Sequence, residues 1–218
     1  MPMNDLNSIF IIEDDVELSA AIKRLLSSDM HKIQVFYSAE DFLDYIKKNF
    51  VGENLETMHP GCVILDVRLP GMSGLSLFDK LNKHNILSLF PTIFLTGHGE
   101  IDMGVDAMKN GAFDFFPKPF NSEKLITTVS NALLASKDNL KKKNTIKKIE
   151  DKIELLTAKE KELMHEITKG YSNKEIATRF DNSIRTIELH RSRVFEKMEV
   201  ASAVELTSKL ERLNSLKD

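Results

Sequence analysis

The residues of this sequence with the clearest chemical potential are acidic, and they follow short apolar runs. "SIFIIEDD" ends in Glu13, Asp14 and Asp15, and "CVILD" ends in Asp66. Adjacent carboxylates repel one another, so a site that keeps them ionised needs a cation between them. Oxygen ligands without a neighbouring histidine or cysteine favour Mg²⁺ over zinc or copper. A carboxylate in such a site can also act as a nucleophile and form an aspartyl-phosphate.

Two further groups suit the same chemistry, although each also has an ordinary structural explanation. Thr96 ends "TIFLT", and Lys118 follows "FDFFP". A hydroxyl and an ammonium group, together with Mg²⁺, would stabilise phosphoryl oxygens. Taken singly, a threonine is common in strands, a lone lysine usually lies on the surface, and Asp15 fits a helix N-cap. The prediction therefore depends on five groups from four strands that would meet at one sheet edge.

The elements that must position these groups alternate between strands and helices. Short apolar runs bounded by polar or turn residues predict strands at residues 8–12, 32–37, 62–66, 92–96 and 113–116. Helical spacing lies between them, as in the apolar sets Leu18, Ile22, Leu25 and Leu26, and Leu75, Phe78 and Leu81. Residues 51–60 lack periodicity and are predicted to be a loop. We predict a doubly wound α/β domain over residues 1–130, with a five-stranded parallel sheet that binds its ligands at the carboxyl ends of the strands.

The helical pattern continues from about residue 131 without strands, and residues 131–155 are predicted to form a helical linker. Its apolar stripe has members three, four and three residues apart, namely Ile146, Ile149, Ile153 and Leu156. We favour a connector helix that packs on its own domains. A dimerising coiled coil is the alternative, and only a short run of heptad-like spacing supports it.

Residues 156–218 are predicted to form an all-α helix-turn-helix domain. The signals are a capping box at Thr157 and Glu160, a helix stop at Gly170, an N-cap at Ser172, a turn at residues 181–183, and a last long helix that begins near Ile184–Arg185. A short helix, a tight turn and a longer helix form the DNA-binding motif of that name.

The composition agrees with separate modules in a reducing compartment. Residues 1–130 carry 11 Lys and Arg against 18 Asp and Glu, whereas residues 131–156 carry 7 against 4 and residues 157–218 carry 12 against 11. The single cysteine, Cys62, excludes an internal disulfide and is predicted to be a packed thiol. No apolar run approaches the roughly 20 residues that span a bilayer, and the N-terminus lacks a signal-peptide pattern, so we expect a cytoplasmic protein.

The motifs "IIEDD", "ILDVRLPGMSG", "IFLTGHG" and "FDFFPKPF" resemble the receiver domain of bacterial two-component response regulators, from about residue 7 to 130. The resemblance implies a flavodoxin-like receiver fold in which a sensor histidine kinase phosphorylates Asp66. It also implies a Mg²⁺ or Mn²⁺ ion held by Asp14, Asp66, the backbone carbonyl of Arg68 and, through water, Glu13. Thr96 and Lys118 would hold the phosphoryl group. The family has a cis peptide at the position of Lys118–Pro119.

The resemblance further implies a conformational switch at Phe115. Thr96 would move toward the phosphoryl group, and the ring of Phe115 would turn inward by packing alone, since it lacks a tyrosine hydroxyl. We hypothesise that Arg68 and His98, which flank the path of hydrolytic water, tune the lifetime of the phosphoryl group. Such a protein accepts a phosphoryl group and loses it by autodephosphorylation, and it is not an enzyme with an external product.

The run from residue 156 to 200 resembles the LuxR-type helix-turn-helix, through "SNKEIA" and "RTIELHRSRVFEKM". Together with a receiver, it resembles the FixJ/NarL-type regulators. The resemblance implies a homodimer, formed on phosphorylation through the fourth helix and fifth strand, that binds double-stranded promoter DNA, with RNA polymerase as a further possible partner and no membrane contact. The DNA-contact candidates are Lys174, Arg185, Thr186, Glu188, Leu189, Arg191, Ser192, Arg193 and Lys197, arranged around Ile187, Val194 and Met198, which are predicted to be buried.

Several alternatives accompany this interpretation. The charged helix face could be merely solvated, and His190 is predicted to be structural. Asp181 and Asn182 stand where the LuxR family often has a glycine and an apolar residue. The acidic site could belong to a Mg²⁺-dependent phosphohydrolase, although such enzymes usually have an aspartate where this chain has Arg68. Finally, the receiver could be an interaction module that is never phosphorylated.

Overall fold

The structure, a computed structural model, describes residues 6–50, 58–83, 86–97 and 101–217, apart from the side chains of residues 101–103 and 105. Its strands are β1 (Asn7–Ile12), β2 (His31–Phe36), β3 (Gly61–Asp66), β4 (Thr92–Thr96) and β5 (Asp114–Pro117). Its first five helices are α1 (Val16–Leu26), α2 (Ala39–Phe50), α3 (Gly74–Lys83), α4 (Ile101–Lys109) and α5 (Ser122–Glu154). All five predicted strands are confirmed to within a residue at each end. The loop predicted over residues 51–60 lies mostly outside the described residues.

The five strands form one parallel sheet in the order β2-β1-β3-β4-β5. Alternate residues of β3 enter two different hydrophobic cores: Val63 and Leu65 pack on one face of the sheet, and Cys62 and Ile64 on the other. Burial on both faces explains why the strand sequences are almost continuously apolar. The predicted doubly wound α/β architecture is confirmed. Burial also raises the pKa of the Cys62 thiol to about 12, which agrees with a packed and unreactive cysteine.

The helix α5 extends over 33 residues and includes the predicted linker except for its last residue. The chain divides into two compact units, Met1–Lys141 and Lys142–Asp218, and the division falls inside this helix. In the first unit, the buried Ser136 hydroxyl accepts a hydrogen bond from the Gly61 amide at 2.9 Å and donates to the carbonyl of Leu89. Leu140 is buried in the same unit. The receiver-like unit therefore uses α5 well beyond residue 130.

The second unit contains the end of α5 and four more helices: α6 (Ala158–Thr168), α7 (Asn173–Arg179), α8 (Ile184–Met198) and α9 (Ala203–Lys217). Ile149 and Leu156 are buried in its core, and Ile146 and Ile153 pack against it, as the connector interpretation expects. The predicted capping box at Thr157 is present, and the predicted N-cap Ser172 forms a second capping box with Glu175.

The prediction that α8 is the last long helix is wrong, because α9 follows it with 15 residues. The sequence signal for α9 is Ser202, a residue type that caps helices, followed by apolar residues at helical spacing. In the structure the Ser202 hydroxyl accepts a hydrogen bond from the Glu205 amide at 3.2 Å. Of these, Leu206 and Leu213 are buried in the core of the second unit. The helix therefore forms because its apolar stripe completes that core.

The turn between α7 and α8 explains one departure from the family pattern. Asp181 has a φ of 50°, in the left-handed region that favours glycine and that asparagine and aspartate tolerate better than other side chains. The Asn182 side chain donates to the Phe180 carbonyl at 2.7 Å, and Ser183 caps α8 by accepting from the Thr186 amide at 3.1 Å. The turn is closed by polar side chains instead of glycine and an apolar residue.

Among the described residues, no helix combines the length and apolarity that crossing a membrane requires.

Candidate functional site

The topology brings the predicted acidic residues to one edge of the sheet. Glu13 and Asp14 directly follow β1, and Asp66 is the last residue of the adjacent strand β3. Asp66 and Glu13 are buried, with exposed fractions of 6% and 1%, whereas Asp14 is exposed. Because β1 and β3 are parallel neighbours, their carboxyl ends lie side by side.

Lys118 links the two buried carboxylates directly. Its Nζ donates to Asp66 Oδ2 at 2.6 Å and to Glu13 Oε2 at 2.7 Å. The lysine follows β5, which is two strands away from β3 in the sheet, so its side chain reaches along the sheet edge. The peptide bond between Lys118 and Pro119 is cis, as the family resemblance implies. The structure thus brings Lys118 to the acidic pair.

Burial and mutual repulsion shift the protonation equilibria of this site. Burial, with a further contribution from Asp66, raises the pKa of Glu13 to about 7, although the hydrogen bond from Lys118 opposes the shift. Burial alone would lower the pKa of Lys118, but its hydrogen bonds to Asp66 and Glu13 outweigh that effect and raise it. The lysine therefore stays a cation between two carboxylates.

The same carboxylates form a donor set that fits a divalent cation. Oxygen atoms of Glu13, Asp14 and Asp66 all lie within 4.8 Å of one another. This set contains only hard oxygen donors, which are the ligands that Mg²⁺ and Mn²⁺ accept. The raised pKa of Glu13 supports the fit, because a bound cation would stabilise the ionised form that burial disfavours.

The loop after β3 holds the Asp66 carboxylate from its other side. The Arg68 amide donates to Asp66 Oδ1 at 2.9 Å, and the Arg68 side chain is exposed. Oδ1 and Oδ2 of Asp66 thus have different partners, a backbone amide and a lysine. His98, the second residue expected to affect hydrolytic water, lies outside the described residues.

Thr96 and Phe115 lie on neighbouring strands beside this site. The Thr96 hydroxyl is buried and donates to the Phe116 carbonyl on β5 at 3.4 Å. Phe115 is half-buried, and its ring contacts α4 at Gly104. In this structure the hydroxyl therefore bonds to β5, and the ring packs on α4.

In the second unit, α8 buries one side and exposes another. Ile187, Val194 and Met198 are buried as predicted. The exposed candidates at helical spacing are Arg185, Glu188, Leu189, Ser192 and Arg193, with the half-buried Thr186 near the helix start. Leu189 is 53% exposed at the middle of this polar face. Lys174, on α7, is also exposed.

Two of the predicted DNA-contact residues also make contacts within the second unit. Lys197 Nζ donates to the buried Glu160 at 2.6 Å, and this hydrogen bond lowers the pKa of Glu160. Arg191 donates to the Asn173 side chain at 3.1 Å, and its guanidinium lies 5.2 Å from the centre of the Phe195 ring. Both residues tie α8 to other parts of the second unit. The Glu160 contact spans 37 residues, so no local sequence signal predicts it.

His190 faces the interior side of α8. It is half-buried and lines a cavity of about 250 Å³ with Leu163 of α6 and Ile187. Its position agrees with the structural role expected for it.

Comparison with known proteins identifies the family. Residues 9–130 match the sequence profile of the response regulator receiver domain, and residues 154–210 match that of bacterial regulatory proteins of the luxR family. The chain is a response regulator. It joins a receiver domain to a LuxR-type DNA-binding domain, and the predicted FixJ/NarL-type architecture is confirmed.

Full-length relatives share both halves of this response regulator. The response regulator protein TmoT of Ectopseudomonas mendocina is 37% identical over 217 residues, which cover 99% of this chain and 94% of that protein. The transcriptional regulatory protein FixJ of Bradyrhizobium diazoefficiens is 33% identical over 216 residues, covering 99% of this chain and 100% of that protein. The solved structure of the response regulator StyR has a TM-score of 0.81 at 29% identity, over 95% of this chain and 99% of that chain.

Proposed function

We propose that Asp66 accepts a phosphoryl group from a sensor histidine kinase and that this event controls the binding of α8 to promoter DNA. The observation that carries the proposal is the position of Lys118 Nζ, within hydrogen-bonding distance of both Asp66 and Glu13 at the edge of the sheet. A cation in this place can neutralise the charge that a phosphoryl group adds to the site.

The transfer step uses Asp66 as the nucleophile. A carboxylate oxygen of Asp66 attacks phosphorus, a new O–P bond forms, and the N–P bond to the histidine of the kinase breaks, with the electron pair remaining on that nitrogen. Asp14, Asp66, Glu13 through water, and the carbonyl of Arg68 would hold Mg²⁺, which when bound neutralises phosphoryl oxygens. Lys118 would move its hydrogen bond from Asp66 to the phosphoryl group.

The switch depends on the neighbours of Asp66. In this structure the Thr96 hydroxyl donates to the Phe116 carbonyl at 3.4 Å, a long hydrogen bond that phosphoryl oxygens can replace. Movement of Thr96 would leave space for the ring of Phe115 to turn inward from α4. A local change in charge would thus alter the surface of α4 and β5, where we expect a second copy of the chain to bind.

The DNA-binding step uses the exposed side of α8. Arg185 and Arg193 can bind guanine or phosphate, Glu188 can accept from cytosine, and Leu189 can contact a thymine methyl group. Thr186, Ser192 and Lys174 suit phosphate contacts. A phosphorylated homodimer would present two copies of this helix to a two-fold promoter site, where RNA polymerase could also be contacted.

The proposal is tested with the full-length protein and its Asp66→Asn variant. We expect acetyl phosphate with MgCl₂ to phosphorylate the wild type and not the variant, as measured by the phosphorylated fraction on phosphate-affinity gels. Genome-wide mapping of bound DNA should then show promoter sites that depend on Asp66.

Other outcomes would favour the alternatives. Equal DNA affinity in both proteins, with and without phosphodonor, would support an interaction module that is not phosphorylated. Steady turnover of a phosphate ester would support a phosphohydrolase. Arg68→Ala and His98→Ala are expected to change the dephosphorylation rate, and unchanged rates would remove these residues from that role.

A further inference from the structure

The loop between β3 and α3, residues 67–73, begins at the proposed phosphorylation site and is short. At its start, the Arg68 amide donates to Asp66 Oδ1 at 2.9 Å. Just after its end, the Gly74 amide donates a hydrogen bond to the Val67 carbonyl at 3.0 Å. The position of the Arg68 backbone, whose amide supplies this hydrogen bond and whose carbonyl is a proposed metal ligand, therefore depends on how the rest of this loop is held.

A carboxylate from another element contacts this loop. Glu40, in the first turn of α2, accepts a hydrogen bond from the Met72 amide at 2.9 Å. Gly71 allows the contact: it has a φ of 75°, and a Cβ atom built on it would lie 2.8 Å from Glu40 Oε1. A larger residue at position 71 would push the carboxylate away from the loop.

The hydrogen bond between Glu40 and the Met72 amide, called the tether below, lies close to Asp66 along the chain. Only three residues separate Arg68 from Met72, and they include Pro70, whose ring restricts the backbone. The side chains of Leu69 and Met72 pack partly against the hydrophobic core on the α2 side of the sheet. A change at the Met72 amide can therefore reach Arg68 through a loop with little freedom.

The ordinary explanation of Glu40 is that acidic residues are favoured in the first turn of a helix. Asp41 meets that preference equally well in the same turn, and it makes no side-chain hydrogen bond to any described residue. The hydrogen bond to Met72 distinguishes Glu40 from its neighbour. This contrast also supplies a matched control.

We propose that Glu40 is a positioning residue for the Asp66 site: its carboxylate holds the β3–α3 loop through the Met72 amide and keeps the Arg68 backbone in place beside Asp66. This inference rests on the proposed binding of Mg²⁺ and phosphoryl transfer at Asp66. Without the tether, the Arg68 carbonyl is less often in place to ligate the cation, so more Mg²⁺ is needed for phosphorylation.

The test measures the rate of phosphorylation of the full-length protein by acetyl phosphate over a series of MgCl₂ concentrations. Glu40→Ala should raise the MgCl₂ concentration that gives half the maximal rate about fivefold, as expected for the loss of one ordinary hydrogen bond. Glu40→Gln keeps an acceptor oxygen and should stay close to the wild type. Asp41→Ala removes the same charge from the same turn and should also stay close.

Hydrogen exchange of the Met72 amide, measured in the same four proteins without phosphodonor, checks the tether itself. The Met72 amide should exchange faster in Glu40→Ala than in the wild type, Glu40→Gln and Asp41→Ala. Two results would overturn the inference: Glu40→Ala behaving as Asp41→Ala does, or Glu40→Gln being impaired as strongly as Glu40→Ala, which would indicate a charge effect. If no variant, including the wild type, is phosphorylated at Asp66, the proposed function fails, and the exchange data still decide whether the loop is tethered.

Discussion

At the scale of single residues, burial and charge conflict at Glu13. Its carboxylate is 1% exposed, lies near Asp66, and has only the Lys118 cation as a charged hydrogen-bond donor among the described residues. The site is therefore stable in two ways: with Glu13 protonated, or with additional positive charge beside it.

The pH dependence of stability follows from this conflict. The pKa of Glu13 is about 7 in the folded protein and 4.5 in the absence of the fold. Between these two pH values the folded protein therefore binds more protons than the unfolded chain. Stability without metal should fall as the pH rises from about 4.5 to 7, by a few kcal/mol at most. Thermal unfolding over this range measures the effect.

Two controls accompany that measurement. Glu13→Gln should flatten the pH dependence, because the variant has no group to titrate at this place. Saturating MgCl₂ should also reduce it, since a cation stabilises the ionised carboxylate. Equal slopes in the wild type and Glu13→Gln would show that another group is responsible.

At the scale of elements, α4 contains a glycine at a position where alanine would favour the helix by about 1 kcal/mol. The structure supplies a reason for Gly104. A Cβ atom there would lie 2.9 Å from Cδ2 and 3.1 Å from Cγ of Phe115. The ring occupies the space of the missing side chain, so Gly104 allows Phe115 to pack on α4.

Gly104→Ala should therefore move the ring of Phe115 from its place against α4 in this structure. If the inward position beside Thr96 is the active one, the variant should bind promoter DNA several-fold more tightly without phosphodonor, as measured by fluorescence anisotropy. The matched control is the same substitution in a Phe115→Ala background, where the added methyl has space and should have no effect. A gain that persists in this background would exclude the ring as the cause.

At the scale of the whole molecule, the C-terminal part of α5 belongs structurally to the DNA-binding unit. Ile149 is buried in the core of that unit, and Lys152 forms an ion pair with Glu199. A second ion pair joins Glu150 Oε1 to Lys217 Nζ at 2.6 Å. A fragment that begins at the capping box of α6 lacks all three contacts. A domain boundary placed at residue 156 from the sequence alone would therefore separate the end of α5 from the unit that it stabilises.

A fragment of residues 142–218 should be more stable than one of residues 156–218 by about 3 kcal/mol. Most of the difference comes from the burial of Ile149, because ion pairs that are partly exposed contribute little. Urea unfolding of the two fragments measures it. Ile149→Ala in the longer fragment should reproduce most of the loss, and equal stability of both fragments would contradict the assignment.

The local parts of this protein were predictable from the sequence. Apolar runs and turn residues predicted the five strands, and capping residues such as Thr157 and Ser172 predicted helix starts, since these signals depend on neighbours within a few residues. The sequence also determined the set of groups at the sheet edge, because parallel strands bring their carboxyl ends together whatever the details of packing.

Only the tertiary structure decided which partners these groups have. Lys118 bonds to Glu13 across 105 residues, Lys197 bonds to Glu160 across 37, and Glu40 bonds to the Met72 amide across 32. It also showed that α9 completes the DNA-binding core and that α5 is continuous through the predicted linker. Sequence patterns report interactions within one turn or one strand, whereas these contacts form only when separate elements pack together.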